Sequence, residues 1–276
     1  MWQLTQGFLG DHVLKVAVVG VGGTGSEIVS NLIHLHLGLQ VLGYGGLHIT
    51  AYDPDHVSEA NIVRQRYSVA DIGRNKAETL IQRVNMSMSL DWDAVSTRFT
   101  AAEAKQRWDL VISCIDSRSG RERLNRFANG KGFYKWKLWL DTGNDATTGQ
   151  VILGTPKTND SHVRTHLPCA TELHPELMDI TMPDDDAPSC SALEALKKQD
   201  LMVNKMAATL ATNLLWRLFK EQQISHHGYY FDLAGGALAP LAVPVRVKTA
   251  ETRATVKATK EKPSFKKSKS KDKQKR

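Results

Sequence analysis

Lys15-Val16-Ala17-Val18-Val19-Gly20-Val21-Gly22-Gly23-Thr24-Gly25-Ser26 runs an apolar β-type segment into a glycine-dense turn, and helix-compatible sequence follows. Such a turn presents backbone N–H groups at a helix N-terminus, where the partial positive charge favours a phosphate. Glycines let the backbone approach the anion closely and take up positive φ. The stretch therefore predicts a nucleotide-phosphate cradle at the first βα junction of a doubly wound, Rossmann-like α/β domain.

The rest of the chain continues the alternation. Strand-like runs fall at 15–20, 47–52, 95–100, 110–115, 137–141 and 150–153, with helical spacing at 25–37, 75–88, 101–108 and 120–130. This pattern predicts a mainly parallel sheet with helices on both faces. Residues 155–190 break it with a Pro- and His-rich stretch carrying the acidic run Asp184–Asp186. A long irregular crossover of this kind is commonly functional. Apolar stripes resume as one helical pattern over 191–223, and 229–233 and 241–247 read as closing strands.

Composition sets limits. The 276 residues are 41% hydrophobic and 24% charged, as in an ordinary globular protein, with no apolar run of membrane-spanning length. Three cysteines (Cys114, Cys169 and Cys190) make no disulfide framework, and the first ten residues lack a basic, apolar leader pattern; both point to a cytoplasmic protein. The net charge of +7 is unevenly spread: residues 246–276 hold 13 Lys or Arg against 3 acids, a local +10 that leaves −3 for residues 1–245. The division predicts a nucleotide-binding domain over 1–245 and a basic, disordered tail over 246–276. A lysine tail attracts nucleic acid, an anionic membrane or an acidic partner, or simply solubilises.

Beyond the glycine turn come Asp53-Pro54-Asp55-His56-Val57-Ser58-Glu59-Ala60-Asn61-Ile62-Val63-Arg64-Gln65, then Asp71-Ile72-Gly73-Arg74-Asn75-Lys76-Ala77, then Ser113-Cys114-Ile115-Asp116 at a strand end. An acid ending the second strand can accept ribose hydroxyls. Arg64 and Lys76 can neutralise a polyphosphate, and Asp116 lies at the sheet edge where Mg²⁺ could bridge phosphate oxygens.

These four strings, in this order, resemble the ThiF/MoeB/ubiquitin-activating-enzyme superfamily over roughly residues 10–245. Chain length and the Pro188-Ser189-Cys190 segment look most similar to the ThiF-type members of the bacterial PRTRC cassette. The resemblance implies ATP- and Mg²⁺-dependent adenylation of the C-terminal carboxylate of a small ubiquitin-like or sulfur-carrier-like protein, by a homodimer. Carried over by position, Gly20, Gly22, Gly23 and Gly25 shape the phosphate turn and Asp53 takes the ribose. Asn61 and Arg64 face the phosphates with Gln65 in support, Lys76 neutralises the leaving charge, and Asp116 holds the metal. Gly25 has a second reading, close helix–sheet packing. Asp55 reads as a turn-forming acid and Arg74 as a solvated helix-start charge.

Some features depart from the superfamily. Residues 1–15 contain no arginine, although relatives usually supply one to the partner subunit's ATP. The Gly20–Asp53 interval is longer than in dinucleotide folds, which predicts a lengthened first helix and loop around 37–46. There is no C-x-x-C pair, so the zinc site of many relatives is not expected; His162, His166, Cys169 and His174 read either as a substitute donor set or as part of an irregular polar loop. Cys190, just before the last long helix, resembles the superfamily's loop cysteine and reads either as a thiolate acceptor of the activated carboxylate or as a turn residue. Cys169 is a weaker thiol candidate, and Cys114 reads as core. Two rival functions stay open: a nucleotide-binding interaction protein without turnover, and an NAD-dependent oxidoreductase. The latter would leave Arg64, Lys76 and Asp116 idle.

Overall fold

The computed structural model describes residues 1–130, 136–157, 166–182 and 192–244. Ten strands are present among these: β1 Trp2–Gln3, β2 Leu14–Val19, β3 Leu47–Tyr52, β4 Asp93–Val95, β5 Leu110–Ser113, β6 Leu138–Asn144, β7 Thr148–Gly154, β8 Gln223–Ile224, β9 His226–Asp232 and β10 Ala237–Ala242. Eight of them form one sheet in the order β10-β9-β7-β6-β5-β2-β3-β4. The five strands from β4 to β6 are parallel, and β7, β9 and β10 add antiparallel pairs at one side. The helices are α1 Gly23–Val41, α2 Glu59–Ile62, α3 Lys76–Met88, α4 Ala101–Ala104, α5 Arg118–Asn129, α6 Ala170–Leu173, α7 Ala192–Lys198 and α8 Val203–Glu221.

Alternation along β2 explains the layering. Val16 and Val18 enter a large core shared with Leu32 and Leu35 of α1, Leu80 of α3 and Leu214 of α8. Ala17 and Val19 face a second core of Tyr52, Phe99, Trp108, Phe127, Trp136 and Trp139. With both faces covered, the parallel strands read as continuous apolar runs. Strand order reverses between β2 and β5, since β3 and β4 extend one way and β5 the other. Ligands in such sheets bind beyond the carboxyl ends at this switch point.

The doubly wound α/β architecture is as the sequence indicates, and α1 does run on to Val41. Several boundaries differ. The strand expected at 95–100 ends at Val95: Phe99 turns into the aromatic core and Thr100 caps α4, its side chain accepting the N–H of Ala102. The single helix expected over 191–223 is broken at Gln199–Met202, where the N–H of Asp200 donates to the carbonyl of Ala146 and pulls the chain toward the β6–β7 connection. The last strand lies at Ala237–Ala242, not 241–247, because it pairs with β9 across the turn at Asp232. Residues Met1–Val243 form one compact unit, and residues 245–276 lie outside the described residues. No helix among the described residues is long and apolar enough to cross a membrane.

Candidate active site at the carboxyl rim of the sheet

The glycine turn is built by close approach. Gly20 has φ +87°, and a Cβ there would meet the carbonyl oxygen of Cys114 at 2.7 Å, so β2 and β5 touch at the switch point and Asp116 follows two residues after the contact. A Cβ on Gly25 would overlap the carbonyl oxygen of Gly20; this glycine permits helix–turn packing rather than ligand approach. Gly23 is needed because the side-chain amide of Asn204 lies 2.6 Å from where its Cβ would be. Gly22 has no such neighbour; the nearest atom to a Cβ there is Nε2 of Gln65 at 3.9 Å. Gly22 is thus the turn glycine with open space beside it.

Asp53 is 5% exposed and tied to this turn. Its Oδ2 accepts the N–H of Val21 at 2.7 Å and its Oδ1 that of Asp55 at 2.9 Å. Burial raises its pKa, opposed by the charge of Lys76 and by the two backbone donors. Tyr67 braces the turn from the other side, its hydroxyl donating to the carbonyl of Val21 at 2.7 Å and approaching that of Lys76 at 3.2 Å. Asn75 caps α3 through Oδ1, which accepts the N–H of Glu78, while its Nδ2 donates to the carbonyls of Asp53 and Asp55. Lys76 is thereby fixed beside the end of β3, 7% exposed, with Nζ 3.3 Å from Oδ2 of Asp55. Asp55, read from sequence as a turn acid, is in the structure the ion-pair partner of Lys76.

Asn61, Arg64 and Gln65 follow from α2. Oδ1 of Asn61 accepts the N–H of Ser58 in a capping box, so this residue shapes the short helix. Arg64 Nη1 donates to Oε1 of Gln199 at 2.6 Å. Nε of Arg64 and Oε1 of Gln65 are buried without a hydrogen-bond partner, and burial lowers the pKa of the guanidinium. Buried polar atoms left unmatched are uncommon and mark places where a ligand or water completes the bonding. Gln199 also accepts from Nδ2 of Asn204, whose Oδ1 accepts the hydroxyl of Thr24 at 2.9 Å and Nδ2 of Asn144 at 2.8 Å. This relay links Arg64 back to the start of α1.

Asp116 is exposed beyond β5, and its backbone carbonyl accepts Nη1 of Arg121. Arg121 is itself buried, with Nη2 donating to the carbonyl of Thr142 and Nε 3.5 Å from Asp141. Burial raises the pKa of Asp141 against the pull of Arg121 and of the Ser113 hydroxyl that donates to it. No group of three or more His, Cys, Asp or Glu that could hold a metal occurs among the described residues. One exposed carboxylate following the strand that touches the glycine turn fits a Mg²⁺ ion that takes its other ligands from a bound anion and water, not an all-protein cage.

The thiols separate clearly. Cys114 is packed at the switch point, and burial pushes its thiol up to about 12. Cys169 is buried against Gly154; burial raises its pKa, Glu172 and Asp141 add to the rise, and Lys157 opposes it. Of the suggested zinc donors, His166 pairs with Glu172, and His174 bonds Glu176 and the hydroxyl of Tyr230. His162 and Cys190 lie outside the described residues.

Sequence reasoning missed Tyr67, Gln199, Asn204 and the Arg121–Asp141 pair. Asn204 left a usable trace: it is a polar residue on the buried stripe of α8, between Val203 and Ala207. Asn75 left another, as a capping residue type directly before a helical pattern.

A family model described as ThiF family matches residues 12–252. The SUMO-activating enzyme subunit uba-2 of Caenorhabditis elegans is 27% identical over 143 residues, covering 50% of this chain and 22% of that protein. Ubiquitin-like modifier-activating enzyme 5 of the same organism is 28% identical over 153 residues, covering 49% of this chain and 33% of that protein. The chain thus spans well under half the length of these relatives. Among solved structures, E. coli MccB with ATP aligns at TM-score 0.57 and 15% identity, covering 86% of this chain and 66% of that one. PaaA aligns at TM-score 0.54 and 15% identity, covering 83% and 64%. At that identity the likeness is one of fold.

Proposed function

Starting from the fact that the chain belongs to the ThiF family, we propose that it binds ATP with Mg²⁺ at the carboxyl rim and adenylates the C-terminal carboxylate of a small ubiquitin-like or sulfur-carrier-like protein. One observation carries the reading: the four motif strings converge on a single turn. Asp53 bonds Val21, Gln65 stands beside Gly22, the Tyr67 hydroxyl bridges the carbonyls of Val21 and Lys76, Arg64 reaches Thr24 through Gln199 and Asn204, and the segment leading to Asp116 touches Gly20.

In this reading the carboxylate oxygen of the partner attacks the α-phosphorus. The new acyl–phosphate bond forms as the bond to the bridging oxygen breaks, and pyrophosphate leaves with both electrons. Nothing in the step needs covalent help from the enzyme; positioning and charge neutralisation carry it. Asp53 orients the ribose. Lys76 and Arg64 offset charge on the phosphates, and the N–H groups at the start of α1 add their dipoles. Asp116 would hold Mg²⁺, which supplies Lewis-acid neutralisation of the phosphate oxygens. Transfer to a cysteine would belong to Cys190, since Cys114 is partly buried, Cys169 is buried, and both are hard to ionise. The Pro188-Ser189-Cys190 segment favours a member of the PRTRC type, the superfamily resemblance favours a homodimer, and the basic tail would meet an acidic partner or nucleic acid.

ATP–pyrophosphate exchange, measured with candidate partner proteins bearing a free C-terminus, tests the reading. Exchange that disappears in Lys76→Ala and Asp116→Ala supports it. Tight NAD binding with no ATP binding, or ATP binding with no exchange for any partner tail, overturns it.

A further inference from the structure

Arg64 is a partly buried cation held by a neutral amide. Other arginines of the unit have carboxylates: the buried Arg121 pairs with Asp141, and the more exposed Arg66 and Arg83 pair with Glu27 and Asp71. Among the described residues Arg64 has no such partner; Nη1 donates to Gln199 at 2.6 Å and Nε is left unmatched. A carboxylate would hold a guanidinium more strongly, and in two-pronged geometry. It would also cancel the charge.

The glutamine is itself held firmly. Its Oε1 accepts from both Arg64 and Nδ2 of Asn204, which uses both lone pairs of that oxygen. Asn204 is 3% exposed and fixed by Thr24, Asn144 and the gap left by Gly23. Gln199 directly follows α7, and α7 packs on α2, the element that leads to Arg64. We propose that Gln199 is a positioning residue that fixes the Arg64 guanidinium beside the glycine turn without neutralising it, keeping the full positive charge for the phosphates of a bound nucleotide. The inference rests on the nucleotide reading above.

Titration calorimetry of the full chain with ATP and with adenosine tests it, using wild type, Gln199→Met and Gln199→Glu. Methionine keeps the length and removes the acceptor; glutamate keeps the acceptor and adds the cancelling charge. ATP affinity is expected to fall in the order wild type, Met, Glu, with roughly tenfold lost in the Glu variant. Adenosine, which has no phosphate, is expected to bind all three alike, and the Glu variant is expected to melt no lower than wild type. Equal losses for ATP and adenosine, or a Glu variant no weaker for ATP than Met, overturn the proposal. Should the Glu variant not fold, the Met variant decides alone: it must weaken ATP more than adenosine. Wild type that binds neither ligand removes the nucleotide reading and this inference together. Wild type that binds ATP, with unchanged affinity in both variants, removes only the inference.

Discussion

The backbone N–H of Val21 donates to Oδ2 of Asp53 at 2.7 Å, which makes the acid at the end of β3 a structural part of the glycine turn that ends β2. Asp53→Asn places an amide donor against either Val21 N–H or Asp55 N–H, whichever way it turns. One buried donor then loses its acceptor, at about 1–3 kcal/mol. Thermal denaturation should show that loss, and ATP affinity should fall further than stability alone explains, since the turn is displaced.

The glycines of the turn divide by what occupies the space beside them. Gly25→Ala drives its Cβ into the carbonyl of Gly20, backbone that cannot give way, and is expected to cost more than the roughly 1–3 kcal/mol of ordinary overpacking. Gly22→Ala meets only Gln65 at 3.9 Å. It should fold with a wild-type melting temperature and still weaken ATP binding, because the methyl stands where the phosphates are proposed to lie. Gly22→Ala binding ATP as wild type does would move the phosphate site elsewhere.

Tyr67→Phe removes the hydroxyl that donates to Val21 and spans to the start of α3. A net loss of about 0.5–1.5 kcal/mol is expected for the bond, toward the upper end because the Val21 carbonyl is left buried. Denaturant melts measure it, and the slope should be unchanged since the fold persists.

How much of this was legible in the sequence depends on the separation of the parts. The glycine turn, Asp53 and Lys76 were readable because each sits at a strand end or helix start within a short string. The role of Gly25 as packing was only one of two readings until the carbonyl of Gly20 was seen against it. Thr24 and Asn204 are 180 positions apart, and Arg64 and Gln199 are 135 apart. Nothing local marks Gln199, because its function comes from where the break between α7 and α8 delivers it. The continuous helix expected over 191–223 hid that break: apolar spacing persists across it, while the tie from Asp200 to Ala146 that causes it is a tertiary contact. The ion pair of Asp55 has no local signal either, its partner Lys76 lying 21 residues on.

Asp71 gives a pH signature of defined sign. Burial alone would raise its pKa, but bonds from Ser68 and the Arg83 guanidinium outweigh burial and hold it below the ordinary carboxylate range. A folded-state pKa below the unfolded one means that the unfolded chain binds the proton first as pH falls. The stabilisation is therefore complete above the unfolded value, near 3.9, and is lost as pH drops through the folded value. Asp71→Asn should be less stable than wild type at neutral pH by about 1–2 kcal/mol, the worth of a charged hydrogen bond reduced by solvent at the half-exposed Arg83. The gap should close on acidification below the ordinary range. A gap that stays constant down to the acid transition would mean that Asp71 is not ionised against Arg83 in the folded protein.

Cysteine labelling tests the division among thiols. Alkylation requires the thiolate, and the thiolate fraction falls tenfold for each unit by which the pKa exceeds the pH. With its thiol pushed up to about 12, Cys114 holds very little thiolate at pH 8, and Cys169 is buried as well as raised. Iodoacetamide applied to the native protein at pH 8, followed by peptide mass mapping, should leave both unmodified until denaturant is added. Modification of either at the rate of a free thiol would mean that the switch point between β2 and β5, or the packing of Cys169 on Gly154, opens in solution. A label confined to Cys190 would instead single out the one thiol able to receive an activated carboxylate.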